Sequence, residues 1–84
     1  MFEVEIGRTA EKQLARLDRA LKNRVLSSIT ALSADPQPHG CRKIKSEHNV
    51  WRIRVGDWRI GYLIDHSLKK VQVIRIVHRS EFYD

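Results

Sequence analysis

Residues Val50 to Asp65 read VWRIRVGDWRIGYLID. Two runs of β-branched and aromatic residues flank Gly56-Asp57, and a glycine leading a two-residue loop suits a type II′ hairpin turn. A turn there sets the register, opposing Val55 to Trp58, Arg54 to Arg59, Ile53 to Ile60, Arg52 to Gly61 and Trp51 to Tyr62. Side chains alternate between the two faces of a sheet. One face therefore carries Trp51, Ile53, Val55, Trp58, Ile60 and Tyr62, a core face, and the other carries Arg52, Arg54 and Arg59 beside the bare backbone of Gly61. Like charges directly opposite, as Arg54 and Arg59 are, cost up to about 1 kcal/mol. Isolated arginines on strands usually do no more than solvate them. Guanidinium forks that converge despite repulsion point instead to an anion as common partner, and their planar bidentate donors match phosphate.

Composition bounds what such a face can serve. The 84 residues are expected to fold as a single domain, 1–84, burying roughly 60–65% of the unfolded chain's surface. Lys and Arg total 16 against 10 Asp and Glu, a formal charge of +6, which implies nucleic acid, the ribosome or an acidic protein as partner. Six basic residues against two acidic ones put a net +4 between Arg42 and Arg59. A single cysteine, Cys41, excludes an intramolecular disulfide, and His39, His48, His66 and His78 lack metal-ligand spacing. No metal and no cofactor is expected. The start, MFEVEIGRTAEK, is charged too early for a signal peptide and no apolar run reaches membrane-spanning length, so a cytoplasmic protein without membrane contact is expected.

Along the chain, Phe2, Val4 and Ile6 alternate with Glu3 and Glu5 as a first strand. Thr9 is read as the N-cap of a short helix through AEKQLARL, and Asp18 as the cap of a second whose apolar stripe is Leu21, Val25, Ile29 and Leu32. Ser33 to Gly40, SADPQPHG, is a connection within the domain. Cys41 to Lys45 reads as a short basic strand leading to the hairpin, His66 to Lys69 as a turn, and Val71 to Val77 as a central strand. With Ile74 and Ile76 toward the helices, Val73, Arg75, Val77 and Arg79 fall on the arginine side. The expected class is α+β: two N-terminal helices packed on one face of a mostly antiparallel four- to five-stranded sheet, in the order β-α-α-β-β-β-β. The opposite face is expected to be open, lined by Arg52, Arg54, Arg59 and Arg79 with Lys43 and Lys45 at its edge, and to bind a phosphodiester backbone.

Chemistry would have to come from the tail, where His78, Arg79, Glu81 and Tyr83 fall within six residues. A terminal tyrosine often only anchors the chain end, and a lone histidine is more often a surface residue than a catalyst. Beside several guanidiniums, however, a phenol ionises more readily and can serve as general base.

WRIRVGDWRIGYLI followed by VHRSEFY resembles the C-terminal signature of RelE-type toxins of the RelE/ParE toxin–antitoxin superfamily, and the likeness in length and element order covers essentially the whole chain. That resemblance implies a RelE-like microbial RNase fold and a ribosome-dependent, metal-independent endoribonuclease that cuts mRNA and inhibits translation. It implies that Tyr83 activates a ribose 2′-hydroxyl, that Arg79 stabilises or protonates the leaving 5′-oxygen, and that Arg52, Arg54 and Arg59 hold the phosphate. Some members carry lysines at the positions of Arg52 and Arg54. An arginine scarcely loses its proton, so these two are assigned to electrostatics alone, and the general acid lies among Arg59, Arg79 and His78. The implied partners are a RelB-like antitoxin, the ribosome with its mRNA, and operator DNA bound by the toxin–antitoxin complex through the antitoxin. Two other readings remain: a ParE-like inhibitor of DNA gyrase without nuclease activity, and a non-catalytic RNA- or ribosome-binding module.

Overall fold

The chain runs β1 (Glu3–Ile6), α1 (Arg8–Ala15), α2 (Arg19–Ala31), β2 (Arg42–Lys43), β3 (Val50–Val55), β4 (Trp58–Asp65), β5 (Lys70–His78) and a 3-10 turn (Arg79–Glu81). This is the expected β-α-α-β-β-β-β order. The structure is a computed structural model that describes residues 1–82. The five strands form one sheet in the order β1-β5-β4-β3-β2, with β1 parallel to β5 and every other pair antiparallel. The β3–β4 hairpin has the register that its turn dictates, from Val55 opposite Trp58 to Trp51 opposite Tyr62. Ile53, Val55, Ile60 and Tyr62 are buried, and the two tryptophans pack at the border of the core.

Both helices cover that face, α2 starting at a local cap and α1 at a contact with a distant strand. The Asp18 carboxylate accepts the Leu21 N–H at 2.8 Å, which opens α2 and turns Val25, Ile29 and Leu32 into the core. Helix α1 begins without a side-chain cap, at Gly7 and not at Thr9 as the sequence suggested. The Gly7 N–H donates to the Val73 carbonyl at 2.8 Å, so the residue that ends the β1–β5 ladder is also the first of the helix entry, and Thr9 already lies in the first turn. Beyond Gly7, β5 has no parallel neighbour. There Gln13 of α1 takes over, its Oε1 accepting the Ile76 N–H at 2.7 Å.

Two further expectations are corrected. A β-bulge between Gly61 and Tyr62 pairs Gly61 with Arg75 but Tyr62 with Val73, leaving Ile74 as the extra residue. Val73 is thereby turned into the core beside Tyr62, while Arg75 and Val77 stay on the arginine face. The strand expected over Cys41 to Lys45 is only Arg42–Lys43: the buried Ile44 still donates its N–H to the Val50 carbonyl at 2.7 Å, and the chain turns over residues 45–49.

A buried phenol helps tie the proline-bearing connection to the core. Tyr62 Oη donates to the Pro36 carbonyl at 2.7 Å, and burial pushes its pKa well up, which keeps it a donor. Among the described residues no helix is long and apolar enough to cross a membrane. Tyr62→Phe leaves that buried carbonyl without its donor and is expected to lower unfolding free energy by about 1–2 kcal/mol. Urea denaturation measures it, and an unchanged midpoint would show that the loop is held by other contacts.

Candidate phosphate-binding and catalytic site

Strand register arranges the face opposite the helices into two rows. Arg42, Arg52, Gly61 and Arg75 lie across β2, β3, β4 and β5, and Arg54, Arg59 and Val77 lie across β3, β4 and β5. Gly56 has φ +58 and Asp57 does not, as a type II′ turn requires. The carbonyls of this tight turn then seat two arginines. Arg59 Nη1 donates to the carbonyls of Gly56 and Trp58 at 3.2 and 3.1 Å. The Arg79 N–H donates to the Asp57 carbonyl at 2.7 Å, and its Nε lies 3.7 Å from Asp57 Oδ1.

Convergence of the guanidiniums is legible in their electrostatics. Burial lowers the pKa of Arg59 first, and the positive charges of Arg54, Arg52 and Arg79 lower it further, with Asp57 opposing. Arg52, Arg54 and Arg79, read from the sequence as one group with Arg59, thus all lie near enough to act on it. Arg54 and Arg79 are exposed and Arg59 is half-buried, whereas Arg52 is only 3% exposed. Charge and forked donors are what recognition of a phosphate requires, and this face offers both.

The other candidates are placed differently. Lys43 opposes Trp51 and so leaves the arginine face, and Lys45 lies beyond the strand. Their place is taken by Arg42, which opposes Arg52 and lines one hollow with Arg52, Arg54 and His39. Nothing in the sequence separates Arg42 from Lys43 without the β2–β3 register. His78 Nδ1 accepts the Ser80 N–H at 3.2 Å and lies 2.9 Å from Ser80 Oγ, and its ring stands edge-on to Trp58. It caps the turn that carries Arg79. Tyr83 lies outside the described residues. Nor is the face open throughout: Arg75 forks onto Glu47, and Phe82 lies over Arg75.

The chain matches, over residues 4–83, the family model described as "ParE toxin of type II toxin-antitoxin system, parDE". Toxin RelE3 of Methanocaldococcus jannaschii is 44% identical over 43 residues, 51% of this chain and 47% of that relative, so the match spans about half of either protein. A chain of the RelBE2 toxin–antitoxin complex of Mycobacterium tuberculosis superposes with a TM-score of 0.82 at 25% identity, covering 93% of this chain and 98% of that one. A chain of the RelE–RelB complex of Pyrococcus horikoshii gives 0.83 at 23% identity, with 96% and 98% covered, a likeness of fold alone. The class is that of RelE/ParE superfamily toxins. Within it, the chain belongs to the ParE toxin family of type II toxin–antitoxin systems.

Since Arg54 and Arg59 are a like-charged cross-strand pair, Arg54→Gln is expected to stabilise the fold by about 0.2–1 kcal/mol. The gain should shrink as salt is added. Urea unfolding at low and high ionic strength reads both, and a destabilised variant would mean that Arg54 has a structural partner outweighing the repulsion.

Proposed function

We propose that this toxin is a ribosome-dependent, metal-independent endoribonuclease that cuts mRNA in the cytoplasm and thereby inhibits translation. The observation that carries the reading is the placing of Arg52, Arg54 and Arg59 on one sheet face, with Arg79 held to the hairpin turn at Asp57 by its backbone. In the proposed reaction Tyr83 takes the proton of a ribose 2′-hydroxyl, and the freed oxygen attacks the adjacent phosphorus in line. The bond to the 5′-oxygen breaks, leaving a 2′,3′-cyclic phosphate and a 5′-hydroxyl. Arg52, Arg54 and Arg59 hold the charge that develops on the phosphate, and Arg79 stabilises or protonates the departing oxygen. His78 is committed through Nδ1 to the 79–81 turn, which favours a positioning role for it. Dependence on a 2′-hydroxyl restricts the substrate to RNA.

The proposed partner is an acidic, RelB-like antitoxin that folds on the basic surface, through which the complex binds operator DNA. The net charge of +6 supports this, as does the crystallisation of the M. tuberculosis and P. horikoshii relatives as toxin–antitoxin complexes. A gyrase-directed, ParE-like action is the second reading, favoured by the description of the matching family model.

One assay separates the two. Purified toxin on programmed ribosomes should create new messenger ends, Arg59→Ala and Arg79→Ala should each lower the rate by about 10²–10³, and Tyr83→Phe should restore growth to expressing cells. Intact messages together with trapped gyrase–DNA complexes would replace the nuclease by the gyrase reading. Neither product would leave a binding module.

A further inference from the structure

Phe82, the last described residue, is seated on β4 and β5, against Gly61 and Arg75. Its ring centroid lies 4.8 Å from Arg75 Cζ. A Cβ on Gly61 would come within 3.1 Å of Arg75 Cγ and 3.3 Å of Phe82 Cε2, so the ring and the arginine stem rest on backbone left bare by glycine. Arg75 is fixed from its other side. Its Nη1 and Nη2 both donate to the Glu47 carboxylate, the first at 3.1 Å. That hydrogen bonding holds the Glu47 carboxyl below the usual carboxylate range, against a smaller desolvation in the other direction. Because its fork is spent on Glu47, Arg75 differs from Arg54, Arg59 and Arg79 on the same side of the molecule. Arg79 has a carboxylate only at 3.7 Å, and Arg54 pairs with no carboxylate among the described residues.

We propose that Glu47, Gly61 and Arg75 form a seat that fixes Phe82 on the basic face, and that these four are positioning residues for Tyr83. The inference rests on the endoribonuclease reading and adds residues that it does not contain. Consecutive Cα atoms are about 3.8 Å apart, so a fixed Phe82 confines the reach of the next side chain. An unseated tail would spread the phenol over many positions, and in-line attack tolerates little misplacement. The seat also gives the glycine in WRIGY a role, since a side chain there would meet both Arg75 and Phe82.

The test compares Phe82→Ala, Gly61→Ala and Tyr83→Phe in single-turnover cleavage on programmed ribosomes. Phe82→Ala and Gly61→Ala should each lower the maximal rate about tenfold to a hundredfold and leave the half-saturating ribosome concentration within about twofold. Adding Phe82→Ala to Tyr83→Phe should cost nothing more. An unchanged rate, a loss confined to ribosome affinity, or a full multiplicative loss in the double variant would overturn the proposal. A second readout does not need cleavage. The chain has two phenylalanines, so fluorine NMR of protein labelled with 4-fluorophenylalanine gives two resonances. In Gly61→Ala and in Glu47→Ala the Phe82 resonance should move to its unstructured position while Phe2, packed against the core, reports an intact fold. If wild-type protein leaves messages uncut, the endoribonuclease reading falls by itself, and an unmoved Phe82 resonance would then be what removes the seat.

Discussion

The two-residue turn at Gly56-Asp57 is the constraint on which the rest depends. Side chains alternate with a period of two, so a slip of one residue would send Ile53, Val55 and Ile60 to the surface and three guanidiniums into the core. Such an exchange is far costlier than the repulsion between Arg54 and Arg59, and the observed register is the one that keeps the apolar set inside. The same turn supplies the carbonyls that receive Arg59 and the backbone of Arg79. Fold and candidate site thus share one element, and the strain of gathering like charges is placed where the backbone is best determined.

The charge on the face is graded. Arg75 is neutralised by Glu47, Arg79 has the more distant carboxylate of Asp57, and Arg54 stands exposed. Surface pairs of the looser kind contribute little to stability. Their greater effect is to shape the field, since Glu47 offsets the charge of Arg75 beside Phe82.

Local signals reached most of this. The hairpin register followed from one glycine and a strict alternation, the second helix from the Asp18 cap and its apolar stripe, and the arginine group from the pairing that the hairpin imposes. What local pattern does not carry is anything set by a distant neighbour. The bulge at Ile74 breaks the alternation because β5 must pair with β4 on one edge and with β1 and Gln13 on the other. Gly7 starts α1 because Val73, far along the chain, claims its N–H. Arg42 replaces Lys43 on the basic face through a register between strands joined by an irregular turn, and the seat under Phe82 draws on residues 47, 61 and 75.

The choice of arginine over lysine on this face has a consequence for how the site responds to pH. Arg52 is 3% exposed and Arg59 is half-buried among other positive charges, conditions in which a lysine would readily surrender its proton. A guanidinium is more weakly hydrated and its charge delocalised, so it tolerates the same surroundings and remains charged even with its pKa lowered, as that of Arg59 is. The positive field of this face is therefore constant across the physiological range. Any pH dependence of chemistry on this face has to be carried by a group other than these arginines, which turns attention to the tail that follows the 79–81 turn and to what holds it in place.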